Sequence, residues 1–282
     1  MSLEKADDGV EYEILAIRYA TTKSRQVRDN FISTHDLHDG PMPMDFFVWA
    51  AIHGDRVILI DGGSDEETCT RRGYQFLRCP AQALAGLGYA PECVTDLVIT
   101  HMHWDHLGNL EKFPKARFHV HKREIAHATG CAMCQPTLRR PYDVSQVCSV
   151  IKALYADRVQ FNHGETRIAP GITLHHVGGH TPGLQVVRVR TRRGHVVLAS
   201  DALHFYANSL LSNPFPVVVD VQDYLEAFPK IRGWADSSDH IIAGHDPVVM
   251  SIYPPWSEFS RDIAVRLDVP PKGEPTSLLP VA

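Results

Sequence analysis

Six consecutive residues, His101-Met102-His103-Trp104-Asp105-His106, put three imidazoles and a carboxylate into one short segment. Zinc prefers imidazole nitrogen and carboxylate oxygen, and a catalytic zinc keeps one coordination position for water, so a cluster of this kind at a strand end suits metal-assisted hydrolysis. Residues two apart in extended backbone point the same way, which lets His101 and His103 converge on one ion. Asp105 and His106, where the chain turns, can face a neighbouring ion. Three later segments offer further donors, each just behind an apolar strand-like run: His180 in VGGHTPG, Asp201 in VVLASDA and His245 in HIIAGHDP. Gly178, Gly179, Gly183 and Gly244 allow backbone turns there that other residues resist. Asp61 in ILIDGG has the same setting and is expected to support the site from behind the ligands. The chain has 17 histidines. An isolated one such as His53, His127 or His195 is expected to be an ordinary core or surface residue, and His119, His121, His163, His175 and His176 receive no role.

For these donors to meet, several strand ends must converge. Residues 11–20 read as a strand, and 46–52 and 56–63 as two strands joined by a turn at His53-Gly54-Asp55. A helix is expected around 75–87, a buried strand at 95–100, a turn into helix over 105–112, and another strand at 116–121. Residues 122–157 read as an inserted helical layer broken at Gly130, Pro136 and Pro141. Short β runs dominate from 158 onward, followed by a helix at about 221–234 and a strand at 240–243. Sheets covered by helices follow from this pattern. The 21–45 loop, with Gly40, Pro41 and Pro43 beside Met42 and Met44, has more apolar character than a solvated linker.

Composition narrows the partner. With 282 residues, 44% hydrophobic and a formal net charge of -5, the chain is an ordinary globular protein whose acidity argues against nucleic acid as its main partner. No run approaches the roughly 20 apolar residues of a membrane span, and the N-terminus has no secretion signal, so no membrane association and a cytoplasmic location are expected. Six scattered cysteines then imply free thiols, although the C-x-x-C of Cys131 and Cys134 could also be half of a zinc site or a redox pair. A small-molecule substrate is expected, and homodimerisation is left open.

THMHWDHLGN at 100–109, with His180, Asp201 and His245 in order, resembles the metallo-β-lactamase superfamily over about 46–253. Within it, DFFVWAAIHGDRVILIDGG, GGHTPGLQVVRV, ASDA and AGHDPVVMSIYP look most like the quorum-quenching N-acyl-homoserine lactonases. The resemblance implies an α/β fold, a four-layer αβ/βα sandwich of two mixed β-sheets flanked by helices. One such domain would span 1–282, with 1–45 as N-terminal strand and substrate loop and 122–157 as helical insertion. It also implies two Zn²⁺ per chain, other divalent metals being compatible. One zinc would take His101, His103 and His180, the other Asp105, His106 and His245, with Asp201 bridging both.

The activity implied is that of a zinc-dependent hydrolase of ester bonds, opening acyl-homoserine lactones or related lactones. Two ions sharing one water lower its pKa to about 7 or below, giving a bridging hydroxide as nucleophile. Asp105 would be both ligand and proton shuttle. The lactonase group commonly has a substrate-holding tyrosine three residues beyond the bridging aspartate. This chain has His204 there and Tyr206 two further on, so either His204 donates instead or Tyr206 swings in. Substrate contacts are expected from the 21–45 loop and from 122–157. Met42, Met44, Phe46 and Tyr142 are candidates for an acyl or aryl pocket, with ordinary core packing as the competing role. The site chemistry alone would also serve thioesters of the glyoxalase-II kind, aryl esters, phosphoesters or β-lactams. A di-iron electron-transfer relative, which would append a flavin domain, is disfavoured by His103 and by the chain length.

Overall fold

Runs of Ile, Val, Leu and Phe carry the chain into two β-sheets, described over residues 9–35 and 37–273 of a computed structural model. Residues 1–8, which hold most of the stretch read for a sorting signal, lie outside the described residues, as do Asp36 of the 21–45 loop and residues 274–282.

The first sheet holds β1 (Glu13–Thr22), β2 (Met44–His53), β3 (Arg56–Ile60), β4 (Gln75–Phe76), β5 (Val94–Val98), β6 (Arg117–His121) and β7 (Val159–Asn162), with β13 (Ala264–Arg266) from the far end of the chain. Its order is β13-β1-β2-β3-β5-β6-β7, and β4 adds to β1. Pairing is antiparallel from β13 to β3 and parallel from β3 to β7. The second sheet, ordered β12-β11-β10-β9-β8, comprises β8 (Glu165–Ala169), β9 (Ile172–His176), β10 (Gln185–Thr191), β11 (Gly194–Leu198) and β12 (Ile241–Ile242). It is antiparallel except for the β11/β12 pair. Both sheets are therefore mixed, and buried apolar residues from the two join one core.

Among the described residues eight α-helices accompany them: α1 (Glu66–Arg71), α2 (Pro80–Gly86), α3 (Lys122–Ala128), α4 (Pro136–Arg139), α5 (Val144–Tyr155), α6 (Tyr206–Leu210), α7 (Val221–Trp234) and α8 (Val248–Ile252). Their starts are legible chemically. The carboxylates of Asp65, Asp143 and Asp220 accept hydrogen bonds from the unpaired first-turn amides of α1, α5 and α7. Among the described residues no helix is long and apolar enough to cross a membrane. All six cysteines are free, Cys131 and Cys134 being exposed on one 3₁₀ turn.

Three expectations about elements need correction. The helix expected at 75–87 begins only at Pro80, because proline is suited to a first helical position and not to a helix interior; residues 75–76 form β4 instead. The turn into helix over 105–112 shrinks to a 3₁₀ turn at Leu110–Lys112, since Asn109 enters it in the left-handed region at φ 60°. The strand at 240–243 is reduced to the two residues of β12.

What matters for function is where the strands stop. The segments after β5, β9, β11 and β12 carry His101–His106, His180, Asp201 and His245 respectively, so both sheets deliver donors to one place.

Candidate metal centre

Each donor is delivered by a local device. Behind β5, Asp61 follows β3 with φ 63°, a conformation that a residue other than glycine holds only when its surroundings insist on it. Its carboxylate accepts from Thr100 N and from Thr100 Oγ1, both at 2.8 Å, and from His106 Nδ1 at 2.7 Å. Buried Glu124 on α3 does the corresponding work between loops: one oxygen accepts from Met102 N at 2.9 Å, the other from Gly183 N at 3.0 Å. The ligand loop of 101–106 is thereby tied to that of 177–183. Two glycines make the second loop fit. Gly179 has φ +85°, and a Cβ there would lie 2.5 Å from Tyr224 backbone; a Cβ on Gly183 would lie 2.3 Å from Glu124 N.

The histidine rings are fixed from behind. His106 Nδ1 donates to Asp61, His180 Nδ1 to the Val217 carbonyl at 2.5 Å, and His245 Nδ1 to the Asp45 carbonyl at 2.8 Å. Because these partners can only accept, the Nε2 lone pairs are left facing the centre. His103 is turned the other way, with Nδ1 inward and 2.9 Å from His180 Nε2.

The seven donors meet. One ligand atom from each of His101, His103, His180 and Asp201 lies within 4.8 Å of the others, and so it is for Asp105, His106 and His245. Asp201 stands between the groups. Its Oδ2 is 3.1 Å from His180 Nε2 and 3.6 Å from His101 Nε2, while Oδ1 is 3.1 Å from His106 Nε2 and 3.0 Å from His245 Nε2. All of these residues are at most 8% exposed.

A cation pair fits this donor set on three counts. The Nε2 atom of His101 is buried without a hydrogen-bond partner, a costly state for a bare imidazole nitrogen, and the Nε2 atom of His106 has only the Asp201 carboxylate beside it. Burial, aided by neighbouring histidines, holds His101 and His103 well below the usual imidazole range, so they present neutral lone pairs as ligands must. His106 goes the other way: burial opposes it, but Asp201, Asp61 and Asp105 together push it well above that range. The carboxylates thus call for positive charge at this spot.

His204, in the position flagged in the sequence, is 1% exposed and joins the cluster. Its Nε2 lies 3.0 Å from Asp201 Oδ2, its Nδ1 2.9 Å from the Tyr224 hydroxyl, and its ring stacks on Phe215 at 3.8 Å. Burial pulls it down to about 3, against the opposing pull of Asp201, so the ring is neutral. Tyr206 is placed elsewhere. Its hydroxyl donates to the Ile241 carbonyl at 3.1 Å, and it takes no part in the cavity wall.

That cavity, about 690 Å³, opens directly over His103, Asp105, His180, Asp201 and His204. Of the four candidates for an apolar pocket, Met44 and Phe46 border it while packing in the core, Tyr142 lines a neighbouring cavity, and Met42 lines neither. Sequence reasoning missed four arginines on its wall, Arg25, Arg28, Arg72 and Arg140, together with Tyr74 and Phe215. Arg25 and Arg28 do fall in the 21–45 loop and Arg140 in 122–157, the segments from which substrate contacts were expected.

Residues 45–253, well over half of the chain, match the family model of the metallo-beta-lactamase superfamily. The chain belongs to this superfamily. It is similar to the N-acyl homoserine lactonase AiiB of Agrobacterium fabrum, 28% identical over 214 residues that cover 68% of this chain and 76% of that protein. Two solved structures share its fold. An N-acyl homoserine lactone hydrolase with N-hexanoyl-L-homoserine bound at its metal centre is 18% identical, with TM-score 0.69 over 86% of this chain and 96% of its own. The dizinc quorum-quenching lactonase AidC is 17% identical, with TM-score 0.61 over 83% and 86%.

Proposed function

We propose that this chain is a dinuclear zinc hydrolase that opens lactone rings, acyl-homoserine lactones or related lactones among them. The observation that carries the reading is Asp201, whose two carboxylate oxygens each face a separate set of histidines at the floor of an open cavity. His101, His103 and His180 would hold one ion, Asp105, His106 and His245 the other, and Asp201 would bridge. Such a pair, when bound, supplies a water acidic enough to be hydroxide at neutral pH and an electrophilic seat for a carbonyl oxygen.

The remaining steps fall to the chain's own side chains. His204, neutral and fixed through Nδ1 by Tyr224, aims its Nε2 at the cluster and can donate a hydrogen bond to the oxygen on which charge develops. Asp105, lining the cavity, can pass a proton to the alkoxide as the ring C–O bond breaks. Asp61 keeps the His106 ring oriented, and burial raises its own carboxyl above the usual range although His106 and Thr100 pull it down. Hydrolysis of open-chain esters or thioesters on the same centre is the second reading, favoured by His204 standing where the lactonase group commonly has tyrosine.

The test combines metal analysis with turnover. Protein purified with zinc should carry about two ions per chain and release acid from a panel of acyl-homoserine and simple γ- and δ-lactones, while Asp201→Ala should lose bound metal and at least about a hundredfold in kcat/KM. No turnover of any lactone by fully metallated protein would remove the lactonase assignment, and unchanged metal content in Asp201→Ala would remove the bridged centre.

A further inference from the structure

The wall of the cavity has a chemistry that neutral lactones do not use. The chain as a whole has a formal net charge of -5, yet four guanidinium groups converge on this one mouth. Arg28 is neutralised by the Asp39 carboxylate. Among the described residues, no carboxylate stands within ion-pair distance, 4.0 Å, of Arg25, Arg72 or Arg140.

Two of these charges, on Arg25 and Arg72, are held in place by neutral groups and feel carboxylates only beyond ion-pair distance, Asp29 for the first and Asp105 and Asp143 for the second, while Arg140 is exposed at the rim. Arg25 Nε donates to Asn30 Oδ1 at 2.6 Å, and its guanidinium stands 5.0 Å from the centroid of Phe215, the ring on which His204 stacks. Arg72 donates to the carbonyls of Arg140 and Tyr142, both at 3.0 Å, lies 5.0 Å over the Trp104 ring, and keeps its buried Nε unpaired. Neutral acceptors and aromatic faces orient a guanidinium but leave its charge for something else. Tyr74, stacked on Trp104 at 5.2 Å, lies within the field of all three arginines. Of the acids on the cavity wall, Asp29 accepts from Gln26 N through its carboxylate and from the Arg25 guanidinium through its carbonyl, Asp105 lies within the field of Arg72, and Asp105 and Asp201 belong to the donor cluster. A bound cation pair would add to the positive charge of the site.

Like charges gathered in a half-buried cleft repel one another, and the arrangement becomes favourable when an anion enters. We propose that this pocket selects esters or lactones carrying a second, anionic group of the carboxylate or phosphate kind, which Arg25, Arg72 and Arg140 grip while the scissile carbonyl rests over the donor cluster. The inference rests on the hydrolase reading above and narrows its substrate. Water adds to the carbonyl carbon, the acyl C–O bond breaks, and the leaving alkoxide takes up a proton. The products are an alcohol and a new carboxylate, and the original anionic group is untouched. Planar guanidinium forks match either oxyanion in bidentate fashion, which gives register as well as attraction.

The experiment compares matched substrates on metal-loaded, full-length protein: a 4-nitrophenyl alkanoate, its analogue ending in a carboxylate and its analogue ending in a phosphate, alongside γ-butyrolactone and its ring-carboxylated form. The better anionic member of each set should exceed its neutral partner in kcat/KM by at least about tenfold, an advantage that shrinks as salt rises from about 0.05 to about 0.5 M. In Arg25→Gln/Arg140→Gln, and partially in Arg140→Gln alone, the ratio should fall toward one. Which anionic analogue wins tells carboxylate from phosphate. A ratio at or below one in the parent protein, or one that both variants preserve, overturns the proposal. Calorimetric titration with glutarate and with inorganic phosphate separates the two failures. If no ester or lactone is turned over, the hydrolase reading falls, and anion binding that the double variant weakens by about tenfold or more would still uphold the arginine site, whereas binding equal in parent and variant would not.

Discussion

His204 can act on the cluster in two ways that geometry alone brings close together. Its Nε2 lies near enough to Asp201 and His245 to be counted with them as a ligand group, and it also points where a donor to the substrate carbonyl is needed. The donor role is favoured by the way the ring is held. Tyr224 occupies Nδ1 and Phe215 clamps one face, so the ring is fixed, and the two triads meeting at Asp201 are complete without it. His204→Ala should therefore retain about two zinc ions per chain and lower kcat by about a hundred- to a thousandfold, as removal of one oxyanion donor does. Metal analysis beside steady-state kinetics decides it, because loss of one ion equivalent in the variant would make His204 a ligand instead. At this scale the sequence was most legible for the seven residues that cluster: histidines and aspartates at fixed spacing behind strand-like runs meet at one place in the fold. The arginines were not legible. Arg25 and Arg140 sit on irregular segments far apart in the chain, with no period or motif to link them, and only the folded cavity shows that they face one another.

Between elements, one polar cluster clips three neighbouring parallel strands together. Asp96 on β5 accepts from Arg56 on β3 at 3.1 Å and from His119 on β6 at 2.9 Å. Burial works against its charge, but His119, Thr95 and Arg56 outweigh burial and bring the carboxyl down to about 2. A folded-state pKa below the unfolded value means stability that is fully present above about pH 4 and is lost as pH falls through about 2. Asp96→Asn should accordingly cost about 1 kcal/mol at pH 7, discounted for partial solvent access, with the difference from the parent closing toward pH 2. Denaturant unfolding of both proteins at several pH values checks this, and a gap that does not narrow in acid would contradict it. His119, left without a role in the sequence, is explained here as a strand-to-strand tie. Apolar runs located β1, β2, β3, β5 and β6, and α7 matched its expected bounds because its capping Asp220 and its apolar face agree. Residues 75–87 and 105–112 were misjudged where a proline starts a helix and an asparagine goes left-handed, choices set by packing that no period records. Glu124 escaped notice because a glutamate at the start of a helix usually faces water, whereas this one is fully buried between two loops.

At the scale of the whole molecule, the donor cluster is a seam. His101, His103, Asp105 and His106 come from the end of β5 in the first sheet, while His180, Asp201 and His245 follow strands of the second. Direct ties across the seam exist, such as Thr100 Oγ1 to Ser200 Oγ at 2.9 Å and Gln185 Nε2 to the Ile99 carbonyl at 2.9 Å. Each proposed ion would add ligands from both sides at once, so binding would be linked to the docking of the sheets as well as to chemistry. A ligand that binds only the folded state stabilises it by about 4 kcal/mol at a thousandfold excess over its Kd. For a chain of this size that corresponds to roughly 10 °C in Tm for each ion held so. Stripping the protein with a chelator should therefore lower Tm by about this much or more, and added zinc should restore it. The control lies within the cluster itself: Asp201→Ala should start from the lower Tm and respond little to chelator, since the bridge that serves both ion sites is gone. Differential scanning calorimetry with metal analysis at each step makes the comparison. A Tm that holds steady while zinc leaves the parent protein would show that the sheets dock without it, and the centre would then serve catalysis alone.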